Sequence, residues 1–185
     1  MCFYKAELMD YIHHYASPLG GITLASDGEF LTGLWFDGQK YFGDTLSQHC
    51  QKLELPVFSK TVSWLDIYFS GKDPDFTPLL RMKTTPFRKL VWKIMLSIPF
   101  GQTMTYGQIA KEVARLNGLK RMSAQAVGNA VGHNAISLII PCHRVVGSNG
   151  SLTGYAGGLS KKISLLRLEG SMTGDLFIPA KGSAL

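Results

Sequence analysis

The order of apolar and polar positions changes character near the middle of the chain. From Ile22 to Phe36 it reads as a hairpin: Ile22-Thr23-Leu24-Ala25-Ser26, then Asp27-Gly28, then Phe30-Leu31-Thr32-Gly33-Leu34-Trp35-Phe36. Asp-Gly is a strong turn signal because both central residues of a tight two-residue connection must accept positive φ. An extended segment from Met9 to Tyr15 offers a third strand, which makes a small antiparallel sheet. Val62, Leu65 and Phe69 then recur at helical spacing, so one helix over 57–70 packs on that sheet. Gly71-Lys72-Asp73-Pro74-Asp75 and Pro78 break the pattern, and a domain boundary is expected near residue 80.

Beyond that break the pattern is helical. Thr85-Pro86 supplies an N-cap followed by proline at the first helical position, with Leu90, Ile94 and Ser97 on one face of a helix that stops before Pro99. Thr105-Tyr106-Gly107-Gln108 reads as a capping box that opens a second helix, whose Ile109, Val113 and Leu116 form an apolar stripe. A third helix, Ser123 to about His133, sets Ala124, Val127 and Val131 on one side and Gln125, Gly128, Asn129 and Gly132 on the other. Each glycine costs about 1 kcal/mol relative to alanine, so close approach of another backbone, or tight packing on a neighbouring helix, must give the reason. Such a helix pair suggests a helix-turn-helix, although Asn117 to Met122 is long for the turn between them. Residues 174–185 have no periodicity and read as a loosely ordered end.

With 45% hydrophobic and 17% charged residues, 185 residues suit one domain or two small ones with a real core. No apolar run approaches the roughly 20 residues that span a bilayer, and no secretory signal is recognisable, so a cytoplasmic protein without a membrane partner is expected. Cys2, Cys50 and Cys142 are odd in number and irregular in spacing, which fits free thiols in a reducing compartment. Cys2, His13, His14, His49 and Cys50 form no metal-binding pair pattern, so no metal is expected. The net charge of +6 fits a polyanionic partner or a solvated basic surface. Its distribution is more telling: Arg81, Lys83, Arg88, Lys89 and Lys93 carry no acid between them, and Lys111 to Arg121 adds four bases against Glu112 alone.

The run Ile139-Ile140-Pro141-Cys142-His143-Arg144-Val145-Val146-Gly147 places a cysteine beside a histidine in apolar, β-branched surroundings. Pro141 fixes its own φ, ends the extended run and holds the chain rigid before the sulfur.

Together with Pro99-Phe100-Gly101, Thr105-Tyr106-Gly107, Ala126-Val127-Gly128, Asn134, Gly154-Tyr155-Ala156-Gly157-Gly158 and Leu168-Glu169-Gly170, that run resembles the methylated-DNA-protein-cysteine methyltransferases, also called 6-O-alkylguanine-DNA alkyltransferases. Ser17-Pro18-Leu19-Gly20 and the hairpin look like the same family. The resemblance implies an α+β fold: a ribonuclease-H-like N-terminal domain of small antiparallel sheet and helix (1–80), a winged helix-turn-helix domain (81–170) and a tail (171–185). It implies a monomer, without cofactor, that binds double-stranded DNA through the minor groove and rotates the damaged nucleotide out. An alkyl group on guanine oxygen 6, or on thymine oxygen 4, then passes to Cys142 and stays there, consuming the protein.

Displacement at an alkyl carbon needs a thiolate, and a thiol near pKa 8.5 supplies little of it at neutral pH. His143 could take the proton, directly or through water, with Glu169 holding the imidazole. By the resemblance, Tyr106 donates to the departing guanine and Asn134 ties the recognition helix to the active-site segment. Tyr155 with Ala156, Gly157 and Gly158 closes over the everted base. Further DNA or substrate contacts implied are Gly107, Arg121, Gln125, Ala126, Gly128, Arg144, Val145 and Ser148. Read alone, Tyr106 also suits a core-packed helix start, Asn134 a helix C-cap, and Glu169 an exposed residue before Gly170. One departure stands out: Gln125 occupies the position where the family commonly has an intercalating arginine. Two rival classes remain open at this stage, a DNA-binding protein that transfers nothing and a cysteine hydrolase.

Overall fold

The computed structural model describes residues 9–179, so Cys2 lies outside the described residues. The sheet has the order β3-β2-β1-β4, from β1 (Met9–Ser17), β2 (Gly20–Ser26), β3 (Leu31–Phe36) and β4 (His49–Lys52). β1 and β3 flank β2 in antiparallel pairing, as the apolar pattern predicts, but β4 runs parallel to β1, so the sheet is mixed. All four β4 residues are polar or small and exposed, which leaves no hydrophobic alternation to read. The hairpin loop is also longer than Asp-Gly suggests. Only Gly28 has positive φ (+108°), while the Asp27 carboxylate accepts from the amides of Phe30 (3.0 Å) and Glu29 (3.3 Å), an Asx arrangement that spreads the turn over 27–30.

Helix α1 (Pro56–Phe69) starts with proline and lies on the sheet. Its buried face is Val57, Phe58, Thr61, Trp64, Leu65 and Tyr68, so Tyr68 and not Phe69 is the residue turned fully inward. Helix α2 (Pro86–Leu96) is capped by Thr85 and buries Val91, Trp92, Ile94 and Met95, while Leu90 is only partly covered. The capping box of α3 (Tyr106–Leu116) closes in both directions, Gln108 N–H to Thr105 Oγ1 at 3.1 Å and Thr105 N–H to Gln108 Oε1 at 2.7 Å. Leu116 is exposed, and Ala110 and Ala114 complete the stripe begun by Ile109 and Val113. In α4 (Ala124–Gly132) Ser123 is the N-cap, and Val127, Ala130 and Val131 face inward while Ala124 is exposed. Trp92 Nε1 donates to the Ala130 carbonyl at 2.8 Å and fastens α4 to α2.

A fifth helix, α5 (Leu159–Leu168), has no counterpart in the sequence expectations. Its inner face mixes Lys162 with Leu165 and Leu166, so a cation interrupts the apolar period. The small wing is β5 (Met104–Thr105) paired in parallel with β6 (Val145–Val146). One continuous core runs through both halves of the chain. On the outer edge of β3, Leu34 N–H donates to Ala135 O and Ser137 N–H to Leu34 O, both at 2.8 Å, so the sheet edge holds the segment that leads to Cys142.

Of the tail, residues 180–185 lie outside the described residues, and the part before them is attached at Phe177: Leu152 N–H donates to Phe177 O at 2.8 Å and Phe177 N–H to Gly150 O at 3.2 Å. That departs from the loose end expected, because backbone pairing needs no side-chain periodicity. Among the described residues, no helix is long and apolar enough to cross a membrane.

Candidate active site

The apolar run before the thiol is not a strand. Leu138 sits at φ +68°, and Pro141 at φ −82°, ψ 67° forms an inverse γ-turn in which the Cys142 amide donates to Ile140 O at 2.8 Å. Cys142 then opens a single 3₁₀ turn ending at Arg144. This sharp path places consecutive side chains on different sides of the backbone, so Cys142 and His143 make no direct hydrogen bond.

Asn134, just past α4, organises the turn. Its Nδ2 donates to Ile140 O at 2.7 Å and lies 3.2 Å from Cys142 Sγ, while its Oδ1 accepts from Ile136 N–H at 3.1 Å. A C-cap reading of Asn134 therefore gives way to a hinge: one amide ties the end of α4 to the sulfur. Burial pushes the Cys142 thiol up, and the Asn134 amide and the Lys162 ammonium pull it back. At rest the sulfur is a buried thiol.

Beneath it lies a dense polar cluster. Glu169 Oε1 is 2.6 Å from His143 Nε2, 2.7 Å from the Tyr68 hydroxyl and 3.1 Å from Arg144 Nη2. Oε2 accepts from Arg144 Nε at 2.9 Å and Gly101 N–H at 3.3 Å. Burial would raise this carboxyl, but the bonds and charges of His143 and Arg144 outweigh it and hold it at about 2. Glu169 is thus a buried anion and not an exposed residue. Burial drives His143 below the ordinary histidine value against the pull of Glu169, so the ring is neutral. Because an ionised carboxylate only accepts, Nε2 carries the ring proton and Nδ1 keeps its lone pair. Nδ1 is buried and has no partner within the protein.

Beside the thiol lies a cleft whose walls include Tyr106, Tyr155, Gly128, Gly132, His133 and Tyr41. Tyr155 packs edge-on against the His143 ring with centroids 6.5 Å apart, so the cleft wall abuts the residue that follows Cys142. Tyr106 donates to Thr153 O at 3.3 Å, and burial first, then the charge of Cys142, push its hydroxyl up to about 12. Tyr155 presents a buried hydroxyl without a protein partner. A Cβ on Gly128 would meet only the Tyr106 ring at 3.9 Å, and one on Gly132 would meet nothing. Among the described residues, only the Tyr106 ring at the start of α3 approaches this glycine face, which leaves it open to an outside backbone.

Gln125 and Arg121 are exposed at the amino end of α4, Gly107 and Ala126 are half-buried, and Ser148 is exposed in the 147–150 turn. Arg144 and Val145, expected among the DNA or substrate contacts, have buried side chains. Arg144 binds Glu169 and donates to Ile98 O at 2.6 Å, and Val145 O accepts from Lys162 Nζ at 2.6 Å. Two residues of the acid-free basic stretch also have acidic partners, Arg81 in Asp27 at 2.5 Å and Lys83 in Asp10 at 2.7 Å.

Sequence reasoning missed three contributors. Lys162 is fully buried, with Nζ also 2.9 Å from Thr153 O, and burial lowers it to about 8. Tyr68 reaches the site from α1, and Tyr41 stacks on His133 with ring centroids 4.0 Å apart. The available signal was a polar tip inside an apolar helix stripe, which Tyr68 and Lys162 share.

A buried nucleophilic cysteine, backed by an imidazole and a carboxylate and hinged to an open helix-turn-helix face, defines the class. The model of the 6-O-methylguanine DNA methyltransferase DNA-binding domain matches residues 86–171, and that of the family's ribonuclease-like domain matches 11–81. Methylated-DNA--protein-cysteine methyltransferases of Mycobacterium tuberculosis and Methanosarcina acetivorans are 42% and 39% identical, over 84% and 87% of this chain and 89% and 99% of theirs. The crystal structure of Mycobacterium tuberculosis OGT in complex with DNA superposes with a TM-score of 0.74 at 39% identity, covering 90% of this chain and 96% of that one. The chain belongs to the 6-O-methylguanine DNA methyltransferase family.

Proposed function

We propose that this protein repairs alkylated DNA directly: Cys142 Sγ takes the alkyl group from oxygen 6 of guanine and keeps it, so each molecule reacts once. Oxygen 4 of thymine presents the same kind of alkyl ether and is the second substrate of this reading. The observation that carries it is the buried thiol, hydrogen-bonded to Asn134 and backed by the neutral imidazole of His143, beside an aromatic cleft next to the open glycine face of α4.

Sγ attacks the alkyl carbon, the carbon–oxygen bond breaks, and its electron pair goes to the guanine ring. The thiol proton passes to His143 Nδ1 through one water, since the two side chains diverge. The imidazolium so formed faces Glu169, and moving a proton from sulfur to ring leaves the net charge of the cluster unchanged. Tyr106, kept protonated by its raised pKa, turns from Thr153 O to donate to the guanine as negative charge develops there. Lys162 still satisfies Thr153 O when Tyr106 leaves it. Guanine regains a proton at the end, so thiol and alkylguanine become thioether and guanine.

The DNA is double-stranded and is entered from the minor groove by α4, where Gly128 and Gly132 leave room for the sugar-phosphate chain. Everting the nucleotide into the cleft exposes the alkyl carbon. Tyr155, Ala156 and Gly157 line the everted base, and Arg121 and Gln125 stand where the gap opens. The protein acts as a cytoplasmic monomer with residues 1–80 and 81–170 as its two domains, resting on the compositional argument and on the two family models that meet near residue 80.

Duplex DNA containing 6-O-methylguanine tests this reading. The tryptic peptide containing Cys142 gains the mass of one methylene, with one equivalent transferred per protein and none in Cys142→Ala. An unmodified peptide, or release of product beyond one equivalent, overturns it.

A further inference from the structure

The His143–Glu169 pair is contacted by a residue from the other half of the chain. Tyr68, near the end of α1, is fully buried, and its hydroxyl donates to Glu169 Oε1 at 2.7 Å while standing 3.2 Å from His143 Nε2. Its ring is locked by a stack on Trp64 (5.2 Å between centroids) and by edge contacts with Phe69 and Phe100 (5.5 and 6.0 Å). A tyrosine is not needed to fill that volume, because phenylalanine would make the same ring contacts. A buried hydroxyl is costly unless it is bonded, so its placement over two atoms of one pair asks for a chemical reason.

We propose that Tyr68 is a positioning residue for the proton step, one by which the N-terminal half of the chain sets the tautomer and basicity of His143. The argument is geometric. The hydroxyl has one proton, and it lies on the carboxylate at the shorter distance. Its oxygen lone pairs then face Nε2, so the Nε2–H bond is shared between Glu169 Oε1 (2.6 Å) and the Tyr68 oxygen (3.2 Å). The alternative tautomer, with hydrogen on Nδ1, would set the Nε2 lone pair against the carboxylate anion. Two acceptors therefore hold the proton on Nε2 and leave the Nδ1 lone pair for the thiol.

The same hydroxyl moderates the carboxylate. Oε1 carries three donors, from His143, Tyr68 and Arg144. Withdrawing Tyr68 leaves more negative charge facing the imidazole, so the imidazolium forms more readily and the ring binds a proton at higher pH. The other titratable or charged groups acting on this ring are Arg144 on the 3₁₀ turn and Lys162 on α5, both of which oppose its protonation. Cys142 adjoins it in the chain, and Tyr155 packs edge-on at 6.5 Å. None of these is altered by removing one oxygen from Tyr68.

The inference rests on the reading that His143 takes the thiol proton, and the test separates the two. The single-turnover rate of methyl transfer from duplex DNA is measured against pH in the full chain, for the parent, Tyr68→Phe and His143→Gln. The parent profile has an acid limb that His143→Gln removes. In Tyr68→Phe the limb moves to higher pH, while on the plateau, where the ring is neutral in both proteins, the rate does not fall. An acid limb that stays in place or moves downward in Tyr68→Phe, with His143→Gln still abolishing it, overturns the role of Tyr68 alone. A parent profile without a limb that depends on His143 overturns the proton-acceptor reading and this inference with it. Should Tyr68→Phe not fold, ring-nitrogen resonances of His143 in the unaltered protein decide the matter, since hydrogen on Nδ1 instead of Nε2 overturns the proposal.

Discussion

The outer face of α4, tied to the Cys142 turn through Asn134, and the polar cluster around Glu169, tied to that turn through His143, are built in opposite ways. The face comes from one nine-residue helix, with Gln125, Gly128, Asn129 and Gly132 turned away from the core by helical periodicity alone. The cluster draws on four separate stretches of chain: Tyr68 on α1, Gly101 after α2, His143 and Arg144 on the 3₁₀ turn, and Glu169 after α5. A surface made locally can lose a side chain and keep its shape. A buried cluster with one anion and several donors cannot, because each removed partner leaves another polar group unsatisfied. Substitutions should therefore rank by how far they reach into the cluster.

Cys142→Ala gives the sharpest separation of the two regions. Methyl transfer disappears, while affinity for duplex DNA stays within about twofold because no groove-facing group changes. Titration of DNA binding alongside the peptide mass checks both halves. A large loss of affinity would mean that the sulfur also builds the binding face.

Glu169→Gln should follow in size. It preserves volume but removes the charge that Arg144 and His143 both face, and breaking a buried pair of this kind costs about 3–5 kcal/mol of stability. Transfer should slow by about 10²- to 10⁴-fold, because the imidazole loses the carboxylate that fixes its tautomer. Denaturant unfolding and single-turnover rates measure the two losses. An equal change in both regions, with DNA affinity falling as much as the rate, would show that the face and the cluster are not independent.

Acid exposes the same anion without mutation. The folded-state value of Glu169, about 2, lies below the ordinary 4.5, so its contribution is fully present above pH 4.5 and is lost as pH falls toward 2. That difference corresponds to about 3 kcal/mol at neutral pH. His143, lowered by burial, adds in the same direction, because the unfolded ring gains a proton that the folded ring resists. Lys162 acts at the other end: its folded value of about 8 against 10.5 means that its burial cost is relieved as pH rises through that interval. Unfolding free energy measured from pH 2 to 10 should thus rise steeply across the acid range. Above pH 8 the gain from Lys162 is opposed by Cys142, Tyr68, Tyr106 and Tyr155, whose raised values keep protons that the unfolded chain releases, so the alkaline slope is shallow. Glu169→Gln should flatten the acid slope and leave the alkaline one.

The contrast also explains what the sequence could reveal. The hairpin, α1, the capping box of α3 and the two-sided pattern of α4 rest on short-range periodicity, and each lies where it was expected. Residues in the sequence motifs, such as Asn134, Cys142, His143 and Glu169, could be listed but not arranged. The orientation of Asn134 toward sulfur depends on a turn at Leu138 and Pro141 that the apolar run disguised as a strand. Tyr68 and Lys162 were invisible for a related reason. Each fills an apolar position with a long side chain whose single polar end meets a partner far away in sequence, and α5 as a whole was hidden by the lysine on its inner face. Arg144, which the resemblance sets among the DNA or substrate contacts, has its guanidinium bound to Glu169 inside the fold, a pairing that no local pattern announces.

The smallest effect belongs to the face. Gln125 is exposed on the first turn of α4, four residues after the exposed Arg121, and it makes none of the bonds that hold the cluster together. In the proposed complex it stands at the gap left by the everted nucleotide, where glutamine can hydrogen-bond but offers neither charge nor a planar cation to stack on bases. Gln125→Arg supplies both. A cation–π contact at a partly exposed position adds about 0.5–1 kcal/mol, so transfer from 6-O-methylguanine in duplex DNA should speed up about two- to fivefold. Transfer from the free base should not change, since no gap has to be filled, and stability should stay within about 0.5 kcal/mol because the position is exposed. Acceleration on both substrates would instead place the effect in the cluster, and a slower reaction on duplex DNA would mean that Arg121 already fills the gap and that the added arginine competes with it.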